Sequence, residues 1–163
     1  MLKKLLYTDD SVASEGNTGD GSLLSLGQKK VGSVHNCRHR VLVIDDNEDS
    51  LLFAQYALEL LGYQPISINS GHKALEFALL CSPEIVLLDI RLDGINGFDV
   101  LNSFRQNEQT AGVPVIAVTA AVLKRTHKTV LAAGFSGFLA KPYMLEELGS
   151  ILQYSLSKQT IRA

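Results

Sequence analysis

The chain has no tryptophan, only two cysteines, and no apolar run approaching the roughly 20 residues needed to cross a bilayer. Each shortage removes a class of protein. With aromatic residues at 7%, nothing points to a stacking surface for nucleic acid. Cys37 and Cys81 cannot build a disulfide framework and fit a reducing cytosol. A formal charge of −2 gives no overall attraction to DNA or to an anionic membrane. The opening stretch, Met1 to Tyr7, is too short in apolar content for a secretory signal, and acidic residues follow it. These features lead us to expect a soluble, cytoplasmic protein with no direct contact to nucleic acid or membrane.

What is present is enough for one domain and some additional chain: 163 residues, 46% of them apolar. The charge is divided unevenly. Residues 40–157 carry 8 Lys/Arg against 13 Asp/Glu, whereas the rest carries 7 against 4. The segment from Thr8 to Gly32 is rich in Gly, Ser, Asp and Asn and lacks a sustained apolar period. That composition reads as a flexible N-terminal extension over residues 1–39, with a short tail at 158–163.

From Arg40 the pattern alternates between two kinds of segment. Val41-Leu42-Val43-Ile44 is a continuous apolar run that stops at Asp45-Asp46. Such a run suits a strand buried on both faces. Leu51, Ala54, Leu58 and Leu61 recur at helical spacing, and Gly62 stands where a helix would end. Pro65 to Ile68 is a short strand candidate, and Ser70 is placed to cap a second helix with Ala74, Phe77, Ala78 and Cys81 on its inner side. Ile85 to Leu88 is another apolar run ending at Asp89. Phe98, Leu101 and Phe104 mark a third helix, and Val113 to Val118 a strand ending at Thr119. A weakly patterned helix over 121–133 stops at Gly134, a strand from Phe135 to Ala140 ends at Lys141-Pro142, and Leu145, Leu148, Ile151 and Leu152 give the last helix. Strand followed by helix, five times, implies a parallel α/β sheet wound on both faces.

The strand ends carry the chemistry. In an open parallel sheet, ligands bind outside the carboxyl ends of the strands. That edge would collect the carboxylates of Asp45, Asp46 and Asp89, the Thr119 hydroxyl and the Lys141 ammonium. Three clustered carboxylates repel one another, and a hard divalent cation with oxygen ligands relieves the repulsion. Mg²⁺ also binds phosphate oxygens, so the set holds a nucleophilic oxygen, a metal position, a fixed cation and a hydroxyl donor. An Asp can serve as the nucleophile and form an acyl phosphate.

The segments VLVIDDN (41–47), IVLLDI (85–90), VPVIAVTA (113–120) and GFLAKPY (137–143) resemble the signature of response-regulator receiver domains. The resemblance covers residues 40 to about 157. It implies a flavodoxin-like, doubly wound five-stranded fold of the stand-alone chemotaxis type and a signalling role rather than enzymatic turnover. By the same resemblance, Asp89 is the phosphorylation site. Asp46 would bind Mg²⁺ directly, Asp45 directly or through water, and Arg91 through its backbone carbonyl. Lys141 would pair with Asp89 and then with the phosphoryl group, which Thr119 would hydrogen-bond. Phe138 occupies the aromatic switch position, and Lys141-Pro142 is expected to be cis. The implied partners are a histidine kinase or a phosphotransfer protein as donor. Nothing after residue 157 suggests a DNA-binding domain, so output is expected through protein contacts on the face formed by the fourth helix, fifth strand and fifth helix.

The chain departs from the family pattern in places. Many members carry Pro where Asp93 stands and Met-Asp where Ile95-Asn96 stand, so this loop should keep its length with a more acidic rim. Phe138 replaces the commoner Tyr and lacks its hydroxyl. Arg91 and Ala121 flank the site at positions that tune phosphoryl lifetime in the family, and Ala121 cannot orient an attacking water, which predicts slow self-hydrolysis. His35, Cys37 and His39 do not match a zinc spacing and read as a solvated tail. Lys124, Arg125 and Lys128 make a small basic patch that reads as a solvated helix face, with a docking surface as the rival reading. Two other readings weigh less. A haloacid-dehalogenase-like phosphatase would need an Asp-x-Asp pair at its first strand, where this chain has adjacent Asp45-Asp46. A pseudo-receiver adaptor would not need the intact acidic set.

Overall fold

The computed structural model describes residues 39–120 and 124–160, with the side chains of 124–127 and 159–160 outside that description. Residues 1–38 of the N-terminal extension, including His35 and Cys37, and Ala121 therefore lie outside the described residues.

Five strands form one parallel sheet: β1 (Arg40–Ile44), β2 (Gln64–Ile68), β3 (Ile85–Asp89), β4 (Val115–Thr119) and β5 (Gly137–Ala140). They lie side by side in the order β2-β1-β3-β4-β5. The expected α/β fold is therefore the one observed. The three central strands read as unbroken apolar runs because both of their faces are covered. Every residue of β3 and β4 is buried, as are the last four residues of β1. Register aligns the carboxyl ends: Ile44 pairs with Leu88, Asp89 with Val118, and Thr119 with Ala140.

The helices are α1 (Glu48–Leu60), α2 (Ala74–Cys81), α3 (Gly97–Gln106), α4 (Lys124–Ala132) and α5 (Leu145–Thr160). Alternation along each strand divides the core into two layers. Val41, Val43, Leu87, Ile116, Val118 and Leu139 pack toward Leu58, Leu148 and Leu152 of α1 and α5. Leu42, Ile44, Val86, Leu88 and Ala117 face the opposite way, toward Ala78, Leu101, Phe104 and Val130 of α2, α3 and α4.

Local signals explain most boundaries. Asn47 caps α1 by accepting from the Ser50 N–H, at 2.8 Å. Gly62 takes the positive φ of +85° that ends α1, as its position suggests. Ser70 does not cap α2. It precedes a 3₁₀ turn, Gly71–Lys73, and makes no side-chain capping bond, so the α-helix starts later, at Ala74. Only glycine fits at the start of this turn, because a Cβ at Gly71 would lie 2.6 Å from Ile95 Cγ2 and 2.7 Å from Leu92 Cδ1. Between β3 and α3 the chain also forms a small antiparallel hairpin, Arg91–Leu92 with Ile95–Asn96, that the apolar pattern does not reveal.

Candidate functional site

The carboxyl edge of the sheet assembles the expected residues from separate segments. Asp45 follows β1 and is buried, although its neighbour Asp46 is exposed. Asp89 ends β3, Thr119 ends β4, and both are buried. Lys141 follows β5, and its backbone N–H donates to the Thr119 carbonyl at 2.9 Å, which ties the ends of β4 and β5 together. The Lys141-Pro142 peptide is cis, as expected.

Lys141 is the hub. Its Nζ donates to Asp89 Oδ2 at 2.6 Å and to Asp45 Oδ2 in a second short ion pair. Ser50 Oγ lies 3.4 Å away. The remaining oxygens of the pair are held by backbone donors two residues on: Asn47 N–H to Asp45 Oδ1 at 3.1 Å, and Arg91 N–H to Asp89 Oδ1 at 2.9 Å. Asp46 is held differently. Its Oδ2 accepts from the Asp93 N–H of the hairpin at 2.9 Å.

Burial sets the electrostatics. It pushes the Asp45 carboxyl above its ordinary value, and the nearby Asp89 charge adds to the rise. The bonds from Lys141 and the Asn47 amide oppose it. Burial alone would lower the Lys141 ammonium, but its two carboxylate partners outweigh that effect and hold it above its ordinary value. The site thus keeps a permanent cation between two carboxylates.

Phe138 lies on β5 opposite Ala117 and is half-buried against the core layer that contains Phe98, Val130 and Phe135. Arg91 is exposed on the hairpin. Next to Lys141, a cavity of about 500 Å³ is lined by Asn47, Ser50, Phe53, Pro142 and Tyr143.

A model of the response regulator receiver domain matches residues 41–153. This chain belongs to the response-regulator receiver family. Relatives place the receiver among proteins of two-component signalling. The polar-differentiation response regulator DivK of Brucella ovis is 31% identical over 102 residues, 63% of this chain and 83% of DivK. The receiver domain of the sensor histidine kinase PA1611 from Pseudomonas aeruginosa is 30% identical with a TM-score of 0.68, covering 74% of this chain and 98% of that one. Its structure is described with a magnesium ion coordinated in the active site cleft. The chemotaxis protein CheY4 of Vibrio cholerae, 24% identical, has the same fold, with a TM-score of 0.68 over 73% of this chain and 99% of its own.

Asp45, Asp46 and Asp89 offer only hard oxygen ligands, as Mg²⁺ requires. Among the described residues, no three His, Cys, Asp or Glu are already gathered into a closed metal site. Mg²⁺ does not need such a cage, since it takes one or two carboxylates and keeps several waters. The residues present therefore fit this ion.

Three features of the receiver site escaped the sequence. The Lys141 bond to Asp45 has no sequence signal, because lysine stems reach several partners and carry no spacing signal. Ser50 beside Lys141 gave none either. The Asp93 amide could have been found: Asp-Gly at 93–94, flanked by apolar Leu92 and Ile95, is a short-hairpin signal.

Proposed function

We propose that this receiver accepts a phosphoryl group on Asp89 from a phosphohistidine of a histidine kinase or phosphotransfer protein, and passes the signal on through protein contacts. The observation that carries this reading is the Lys141 ammonium held on Asp89 Oδ2 at 2.6 Å, with Asp45 as its second partner. A carboxylate oxygen of Asp89 attacks phosphorus, the bond from phosphorus to the donor imidazole nitrogen breaks, and that nitrogen keeps the electron pair. Lys141 already stands where negative charge develops on the transferred group. Asp46, Asp89 and the Arg91 carbonyl, with Asp45 directly or through water, would hold Mg²⁺. When bound, the ion neutralises phosphoryl oxygens and the acidic cluster.

Thr119 ends β4, and its hydroxyl would donate a hydrogen bond to an oxygen of the new phosphoryl group. Its movement would draw in the α4 side of the fold, where Phe138 exchanges between burial and exposure. Output would use the surface of α4, β5 and α5. The donor has a surface suited to it next to the site: α1 leaves Leu52, Phe53 and Tyr56 largely exposed. An apolar ledge of that kind suits docking of a partner helix.

Metal removal tests the reading. Incubation with phosphoramidate and Mg²⁺ should add one phosphoryl group per chain by intact mass. EDTA should suppress the gain, and excess Mg²⁺ should restore it. Equal labelling with and without the chelator would count against a metal-dependent acceptor.

A further inference from the structure

The three carboxylates of the site are not held alike. Asp45 and Asp89 share Lys141, and each accepts a hydrogen bond from the backbone N–H two residues further along. Asp46 is exposed and takes its hydrogen bond from a distant loop, the Asp93 N–H, 47 residues further along. From these differences we infer that the Asp93 backbone amide is a positioning group for metal binding, fixing the Asp46 carboxylate in the conformer that receives Mg²⁺. The inference rests on the metal-binding reading of Asp46 given above.

The physical argument is preorganisation. An exposed aspartate samples several rotamers, and a metal that selects one of them must offset the lost freedom. A donor already in place removes that cost beforehand, provided the donor itself is rigid. This one is. Leu92 and Ile95, on either side of the Asp93-Gly94 turn, pack on the core and press against Gly71, where an added Cβ would meet both side chains at under 3 Å. The N–H occupies Oδ2 and leaves Oδ1 of Asp46 available, and a carboxylate has acceptor sites to spare. The bond also ties the β1–α1 loop to the β3–α3 hairpin, the two segments that a shared cation would bridge.

The donor is a main-chain N–H, so proline is the substitution that removes it. Gly94, at the second central position of the turn, has φ of +75°, which fits a type II turn, and such turns accept proline at the first central position. Leu92 before it is extended, as a residue preceding proline prefers. Asp93→Ala keeps the N–H and removes the side-chain carboxylate, so comparing Pro with Ala isolates the amide.

The experiment is calorimetric titration of Mg²⁺ into the full chain at 0.15 M salt, with thermal melts to show that each variant is folded. Asp93→Ala should bind within about twofold of wild type, since the lost charge is exposed and screened. Asp93→Pro should bind about threefold to tenfold more weakly than Asp93→Ala, the range expected from one hydrogen bond. Equal or tighter binding by a folded Asp93→Pro, with wild type binding normally, would overturn the inference and leave the phosphoacceptor reading intact. If wild type itself gave no saturable binding, the metal site would fail and the inference with it. As a second readout, the Asp93 amide should exchange with solvent more slowly in wild type than in Asp46→Ala, and equal exchange would remove the bond from the argument.

Discussion

Replacing Lys141 with Met is expected to lower the unfolding free energy by about 3 kcal/mol at pH 7 in metal-free buffer, read from urea denaturation. Breaking a buried ion pair by removing one partner leaves an uncompensated buried charge and costs about 3–5 kcal/mol. The lower end applies because 19% of the Lys141 side chain is exposed, although Asp45 and Asp89 are at 6% and 11%. Methionine keeps most of the stem, so the loss is mainly electrostatic.

The pH dependence separates charge from packing. The folded value of Lys141 is raised above 10.5, so its contribution is fully present below 10.5 and is lost as pH rises through the folded value. Asp45 is raised above 3.8, which has the opposite sign from a usual salt-bridged carboxylate. The folded state binds the extra proton between 3.8 and the raised value, so stability falls as pH rises through that window. Without Lys141 the same window should widen. The deficit of Lys141→Met should therefore shrink as the pH is lowered from 7 toward 4. A deficit that stays constant over this range would assign the loss to packing and not to the trapped charge.

The second large effect is at Gly97. A Cβ there would lie 2.6 Å from the Asp89 carbonyl oxygen and 2.7 Å from Ile90 Cα, both backbone atoms. No side chain can turn aside to make room. The Gly97 N–H also donates to the Ile90 carbonyl at 2.9 Å, which pins the start of α3 against the end of β3. Gly97→Ala must move the main chain that carries Asp89. It should cost about 1–3 kcal/mol by overpacking, measured by denaturation. Labelling of Asp89 by phosphoramidate should slow on the order of 10²-fold, as displacements of about an ångström at a reacting group do. A variant with wild-type melting and wild-type labelling would show that this close approach does not position the acceptor.

The sequence revealed those parts of the receiver that depend on burial. Strands β1, β3 and β4 lie between two helix layers, so they read as apolar runs, and each run stops where the chain meets the wet edge. That is why the runs alone put Asp45, Asp89 and Thr119 at one edge, with Lys141 following from the end of β5. The parts that stayed hidden depend on backbone donors and on tertiary crowding. The Asp-Gly pair at 93–94 marks the turn, but nothing in the sequence directs the Asp93 N–H to Asp46. The need for glycine at position 71 comes from Leu92 and Ile95, whose side chains fill the space a Cβ would take, and such crowding between distant segments leaves no local pattern. Ser70 has the chemistry of a cap, but it makes no side-chain capping bond.

The most direct test is to find where the phosphoryl group goes. Wild type and Asp89→Asn should be incubated with phosphoramidate and Mg²⁺, then reduced with borohydride to mark any acyl phosphate and digested for tandem mass spectrometry. Wild type should carry the mark on Asp89 alone, and Asp89→Asn should remain unlabelled while melting cooperatively. Labelling of Asp89→Asn at the wild-type level, or a mark on another residue in wild type, would contradict the assignment of Asp89 as the acceptor.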